Sequence, residues 1–351
     1  MLMLSGCLRE DPLNQPFTSI TPIDIGDGHQ LSTPAAEQVD ANALAEVFGS
    51  LYHQENLWPL RSMLVFRNGK LIGETYLKDP EDITNRHLIW SCTKQVVGVL
   101  AGMAITEGIF TSLDDPLSMH FDSELDNHTD KAGITLKNLL SMQSGIDYNN
   151  DGVGGETDKL LRQIPDNSVD FVLSRPIVSA QGTDFYYKDG DPHLVSAMIQ
   201  KSAGMPADEW AEKVLFSKIE MTNYNWVRYK DGVTFGGFGI ETTPREMAKF
   251  ALTVANNGVW KGSQIIDPVW ISEMVSPQVD TGFDYDFGYL WWLEETRNIH
   301  FMWGHGGQFA FIIPDYNLLV VMTSFPNTQG DYQINADEAL PIVDQIISAC
   351  Y

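Results

Sequence analysis

Polar and apolar residues change rhythm several times along this chain, and each change predicts a different element. Ser62-Met63-Leu64-Val65-Phe66-Arg67 and Leu71-Ile72-Gly73-Glu74-Thr75-Tyr76 are rich in apolar and β-branched residues, with Asn68-Gly69-Lys70 between them. Asn-Gly supplies the left-handed residues of a tight turn, so the pair predicts an antiparallel hairpin. Asp40 to His53 reads as a helix, and helical patterns dominate from about Ser91 to Met274. Strands are predicted at Gly288–Leu293, His300–Trp303, Phe309–Ile313 and Leu318–Ser324, with Pro314-Asp315-Tyr316-Asn317 as a turn. A last helix spans about Asn335 to Ser348. Together these predict an α+β fold. N- and C-terminal strands complete one antiparallel sheet, terminal helices cover a face, and a mostly helical lobe of about residues 91–274 is inserted. The cleft between the lobes is the expected site.

Residues 8–37 are rich in Pro, Asp, Thr and Gln and show no sustained period. They read as a tether, so the chain divides into an N-terminal segment of residues 1–37 and a domain of residues 38–351. Leu4-Ser5-Gly6-Cys7 is similar to a bacterial lipobox, in which the cysteine is lipidated. The preceding Met1-Leu2-Met3 is too short for a complete signal peptide, so the leader reads as truncated. The expectation is a periplasmic or cell-envelope protein, membrane-tethered through Cys7.

Composition narrows the partners. Among 351 residues, 47 are acidic and 22 basic, a net charge of −25. Such a surface repels nucleic acid and anionic lipid, leaving a small-molecule or peptide substrate as the expected partner. The three cysteines suggest no disulfide framework. No cofactor or metal motif stands out. Asp147-Tyr148-Asn149-Asn150-Asp151-Gly152, with Asp158 at the twelfth position, matches part of a calcium loop but lacks the usual terminal Glu. A plain surface loop is the competing reading.

The chemistry concentrates at Ser91-Cys92-Thr93-Lys94. Residues three apart share a helix face, placing Lys94 one turn from the Ser91 hydroxyl. If Ser91 opens the helix, the dipole of the first turn disfavours a protonated lysine, which is one route to a neutral base. The motif alone arises by chance about once in such a chain. Its setting is unusual, because Gln95 to Ile105 is apolar almost all round. That predicts a buried helix, and a lysine at its head is costly without a function.

Two later segments complete the pattern. One is Gly182-Thr183-Asp184-Phe185-Tyr186-Tyr187-Lys188-Asp189, and the other is Gly304-His305-Gly306-Gly307-Gln308-Phe309. With flanking stretches such as Leu113-Asp114-Asp115-Pro116-Leu117 and Thr242-Thr243-Pro244-Arg245-Glu246-Met247, the chain resembles the class C β-lactamase superfamily of serine hydrolases over roughly residues 60–325. That superfamily includes D,D-peptidases and family VIII esterases. The resemblance implies a β-lactamase/transpeptidase-like fold. It implies Ser91 as acylated nucleophile, Lys94 as general base or proton shuttle, and Tyr187 as proton carrier between Lys94, Ser91 and leaving group. It places the backbone N–H groups of Ser91 and Gln308 in an oxyanion hole, with His305, Gly306, Gly307 and Asp189 lining the substrate. Without those roles, Tyr187 is a core aromatic, His305 a satisfied histidine and the glycines a bend.

Two departures bear on substrate. Asp189 stands where the family usually has Asn; a carboxylate only accepts hydrogen bonds, and its charge raises the pKa of a nearby lysine. His305 stands where β-lactamases carry a lysine that holds a substrate carboxylate. Both changes favour an esterase or amide hydrolase over an efficient β-lactamase. His305 either donates one hydrogen bond or is protonated through Asp189. Trp90, Trp291, Trp292 and Trp303 line an apolar pocket or belong to the core. No Gly-x-Ser-x-Gly elbow, His-Glu-x-x-His pair or phosphate loop is present. The main expectation is a serine hydrolase; the rival is a penicillin-binding or sensory protein that acylates with little turnover.

Overall fold

The first hairpin turns on a residue pair that favours left-handed backbone. Strand β1 (Leu60–Arg67) and β2 (Lys70–Tyr76) pair antiparallel through Asn68 and Gly69, both left-handed at φ 52° and 75°. The computed structural model describes residues 14–148, 156–163, 166–325 and 333–351. Five further strands join the hairpin: β3 (Asp286–Phe287), β4 (Trp292–Glu294), β5 (Ile299–Gly304), β6 (Gln308–Ile313) and β7 (Leu318–Ser324). All seven form one antiparallel sheet in the order β2-β1-β7-β6-β5-β4-β3. The central strands β6 and β7 are buried along their whole length, so both faces of the sheet are covered.

Helix α1 (Ala41–Leu51) is capped by the Asp40 carboxylate, which accepts from the N–H groups of Asn42 and Ala43. Its Phe48 presses on Gly73 of β2, where an added Cβ would lie 3.2 Å from the ring. Further on come α2 (Cys92–Thr106), α3 (Gly190–Ala203), α4 (Pro244–Ala255) and α5 (Ala336–Ser348). The terminal helices α1 and α5 pack together, while α4 lies against β6 and β7. The α+β architecture expected from the sequence is therefore present.

Three local expectations are revised. The strand expected at Gly288–Leu293 is interrupted: Leu290 is left-handed at φ 63°, its N–H donates to Leu140 O and its carbonyl accepts from the Gln95 side chain. The predominantly helical region also supplies two strands of a three-stranded sheet, in which Ile240–Thr242 lies between Tyr224–Trp226 and the preceding His87–Leu88. Residues 14–37 are not a free tether. Gln15 N–H donates to Leu77 O (2.6 Å), Glu74 N–H to Ile20 O (3.0 Å) and Ser32 N–H to Leu71 O (3.0 Å), so the segment runs along the outer edge of β2. An uncovered edge strand exposes unpaired backbone groups, and this segment satisfies them. Arg245 of α4 fastens it, bonding Glu74 through two nitrogens, Asp27 and the Ile23 carbonyl.

Cys7 lies outside the described residues, as does the central part of the Asp147–Asp158 loop. Among the described residues no cluster of three or more potential metal ligands occurs, and no helix is long and apolar enough to cross a membrane.

Candidate active site

The path into α2 is bent at Trp90, whose φ is +51°. A bulky residue in the left-handed region is strained, and such strain persists only where surrounding structure enforces it. The bend presents Ser91 at the N-cap of α2, yet its side chain caps nothing there. Its Oγ instead accepts from Lys94 Nζ at 2.8 Å. Helix α2 is buried from Cys92 to Ala104, so Lys94 has no access to water and all its donors turn inward.

Three acceptors meet that ammonium. Besides Ser91 Oγ, Asp189 Oδ1 lies at 2.5 Å and the Gly237 carbonyl at 2.6 Å. Tyr187 lies against this pair, its ring centroid 4.9 Å from Nζ. Burial alone would depress the lysine pKa, but the Asp189 carboxylate and Tyr187 outweigh it and lift the value above that of an ordinary lysine. Burial pushes the Tyr187 phenol up, with Lys94 and Ser91 pulling only partly back. The resting cluster is thus an ammonium, a neutral phenol and an intact serine hydroxyl. This corrects the expectation that the helix dipole leaves Lys94 neutral, since a bonded carboxylate outweighs the partial charge of a helix end.

Local packing holds each member in place. Asp189 occupies the N-cap of α3 without capping it, its side chain being turned to Lys94. Lys188, next to Tyr187, is buried and donates to Ile146 O and Ser144 Oγ, and Ser144 in turn donates to Asp191. Gly237 lies flat against Asp189, where a Cβ would fall 2.6 Å from the Asp189 Cβ. Gly236 meets the Pro192 carbonyl even more closely, at 2.1 Å from its notional Cβ. The sequence reading overlooked Gly237. Its signal was the glycine pair in Thr234-Phe235-Gly236-Gly237-Phe238-Gly239, since paired glycines mark close backbone approach. Ile89 N–H donates to Ile240 O and Ile240 N–H to Thr93 Oγ1, which brings this segment alongside Ser91 and Lys94.

The third motif forms the β5–β6 turn. Gly306 and Gly307 have φ 83° and 96°, so the turn itself requires them, whatever approaches from outside. The turn abuts the nucleophile helix. A Cβ on Gly304 would strike Ile89 O at 2.2 Å, and Cys92 Sγ donates to Gln308 O at 3.4 Å. The Gln308 side chain is held at both ends by the Ser324 backbone. His305 sets its ring edge-on to Trp90 at 5.2 Å. The sequence-predicted residues thus fall in two adjoining groups: Ser91, Lys94 and Asp189 share one hydrogen-bonded cluster with Tyr187 against it, while His305, Gly306, Gly307 and Gln308 flank it on the turn.

The tryptophans divide as well. Trp292 lies 5.4 Å from Tyr187 and 5.3 Å from Trp303, extending an aromatic wall that also includes Phe185 and Phe287. Trp291 is fully buried and stacks on Phe250, so it belongs to the core.

An antiparallel sheet, a buried helix led by Ser-x-x-Lys and a tyrosine closing on both define a β-lactamase-related serine hydrolase. The family profile described as Beta-lactamase matches residues 61–342, and the chain belongs to that family. A curated relative is the 6-aminohexanoate-dimer hydrolase of Paenarthrobacter ureafaciens, 22% identical over 321 residues, covering 84% of this chain and 80% of that protein. Among solved structures, a penicillin binding protein from Bacillus halodurans superposes with a TM-score of 0.67 at 16% identity, covering 86% of this chain and 99% of the other. A class C beta-lactamase gives 0.65 at 16%, covering 88% and 95%.

Proposed function

We propose that the protein hydrolyses a small ester or amide through an acyl-enzyme on Ser91. The observation that carries this reading is the 2.8 Å contact between Lys94 Nζ and Ser91 Oγ, with the Tyr187 ring centroid 4.9 Å from Nζ. Once Lys94 has given its extra proton to solvent, Ser91 Oγ bonds to the substrate carbonyl carbon as the serine proton passes to the Lys94 amine beside Tyr187. That proton then reaches the leaving alkoxide or amine as the scissile bond breaks. Water attacks the resulting ester by the same route and regenerates the serine. The N–H groups of Ser91 and Gln308 are the proposed donors to the developing oxyanion, a role worth about 2.7–4 kcal/mol per donor in comparable sites. The relative named as a 6-aminohexanoate-dimer hydrolase favours an amide substrate, and His305 in place of a charged lysine favours one less anionic than a penicillin.

A fluorophosphonate probe combined with a panel of p-nitrophenyl esters and anilides tests the reading on wild type and Ser91→Ala. Labelling with Ser91-dependent turnover supports it. Labelling without turnover favours a penicillin-binding or sensory protein, and absence of both removes the acyl-enzyme altogether. The lipobox-like Leu4-Ser5-Gly6-Cys7 supports a second proposal, an envelope location tethered at Cys7. Incorporation of labelled palmitate in cells, abolished by Cys7→Ala, is the expected result; no incorporation refutes the tether.

A further inference from the structure

Lys94 is bound by two groups that cannot give a hydrogen bond. The Asp189 carboxylate at 2.5 Å and the Gly237 carbonyl at 2.6 Å are acceptors only, so each takes one N–H of Lys94. Nitrogen is tetrahedral, and the direction left over faces Ser91 Oγ at 2.8 Å. In the ammonium form a third N–H fills that direction. In the neutral amine the lone pair fills it, and neither of the other bonds has to change.

We propose that Asp189 is a positioning residue that aims the Lys94 lone pair at Ser91 while storing the lysine in its protonated form, so that hydrolysis switches on only under alkaline conditions. The inference rests on the acyl-enzyme reading above. The usual Asn at this position would offer the same acceptor oxygen without the charge. The aspartate therefore keeps the aim and makes the base scarcer at neutral pH. Full burial of Lys94 leaves no water to screen the pair.

The other groups around the lysine do not relieve that charge. From α2 itself, the Cys92 thiol is pushed well up by burial and stays neutral. Tyr187, from the segment before α3, remains a phenol for the same cause. One turn into α3, His193 is held neutral by burial, with its pKa lowered to about 4. From the segment before Ile240 comes only the Gly237 carbonyl. On the β5–β6 turn, the His305 ring lies against Trp90. Asp189 is thus the one formal negative charge bonded to Lys94 among the described residues.

The experiment follows the Lys94 side-chain nitrogen by NMR in protein labelled with ¹⁵N-lysine, and in parallel the pH dependence of kcat/KM on an active ester. Wild type should titrate above an ordinary lysine, with activity rising through the same pH. In Asp189→Asn both the titration and the acid limb should move down by at least about one unit, raising kcat/KM at pH 7 about tenfold for each unit moved. Asp189→Ala, which removes the acceptor, should share the shifted limb but lose plateau rate. A Lys94 titration unchanged in Asp189→Asn, or an undiminished plateau in Asp189→Ala, overturns the proposal. Should Asp189→Asn fail to fold, the wild-type titration decides, and a value at or below that of an ordinary lysine overturns it. Hydrolysis surviving Ser91→Ala would instead defeat the acyl-enzyme reading, leaving the NMR titration to judge Asp189 separately.

Discussion

Replacing Gly237 with alanine probes the site through a residue with no side chain of its own. The new Cβ would lie 2.6 Å from Asp189 Cβ and 2.8 Å from its Cγ, where ordinary contact begins at 3.4 Å. One or both segments must withdraw by up to about 0.8 Å, typical of overpacking that costs ~1–3 kcal/mol of stability. The displaced groups are the two acceptors that orient Lys94, each within 2.6 Å of its Nζ. Misplacing reacting groups by about 1 Å costs on the order of 10²-fold in rate. Gly237→Ala should therefore lower kcat by roughly 10²-fold while the melting temperature falls by only several degrees. Initial rates on a p-nitrophenyl ester, with calorimetry on the same sample, measure both. A folded variant with kcat within threefold of wild type would refute the idea that these acceptors aim the lysine.

Further expectations concern the base, the N-terminal segment and acid stability. Lys94→Ala should lose about 10²–10⁴-fold in kcat while circular dichroism stays native, and an unchanged kcat would remove Lys94 from the chemistry. Arg245→Ala leaves Glu74 and Asp27 without their buried partner, so urea unfolding should show a loss of about 3–5 kcal/mol, and residues 14–37 should become sensitive to protease; a stability change under 1 kcal/mol would contradict that fastening role. His193 and His300 are both held neutral by burial, with pKa values lowered to about 4 from 6.5. The unfolded chain binds those protons first, so their stabilising effect is complete above pH 6.5 and is lost as pH falls toward 4. Urea midpoints at intervals across that window should decline, and a flat profile would count against two neutral buried imidazoles.

Much of the frame was legible along the chain because its determinants are short-range. Asn68-Gly69 favours a left-handed turn by residue type alone, and the strands beside it carry their own β-branched pattern. Asp40 caps α1 within three residues. The apolar surround of α2 announced a buried helix before any partner was known. Even so, the continuous strand expected at Gly288–Leu293 breaks at Leu290, held by Leu140 and Gln95 from distant parts of the chain. Residues 14–37 carry no period of their own; the β2 edge and Arg245 hold them through hydrogen bonds.

The site divides along the same line. Sequence alone named Ser91, Lys94 and Tyr187, and it flagged Asp189 as a charge that would act on the lysine. The three-residue helical step is enough for Ser91 and Lys94, while Tyr187 and Asp189 were named only through the family resemblance. Only the folded chain decided that Asp189, 95 positions from Lys94, and Gly237, 143 positions away, take two of its hydrogens. Whether a buried amine is charged depends on what surrounds it in space, and no window along the chain contains those neighbours together.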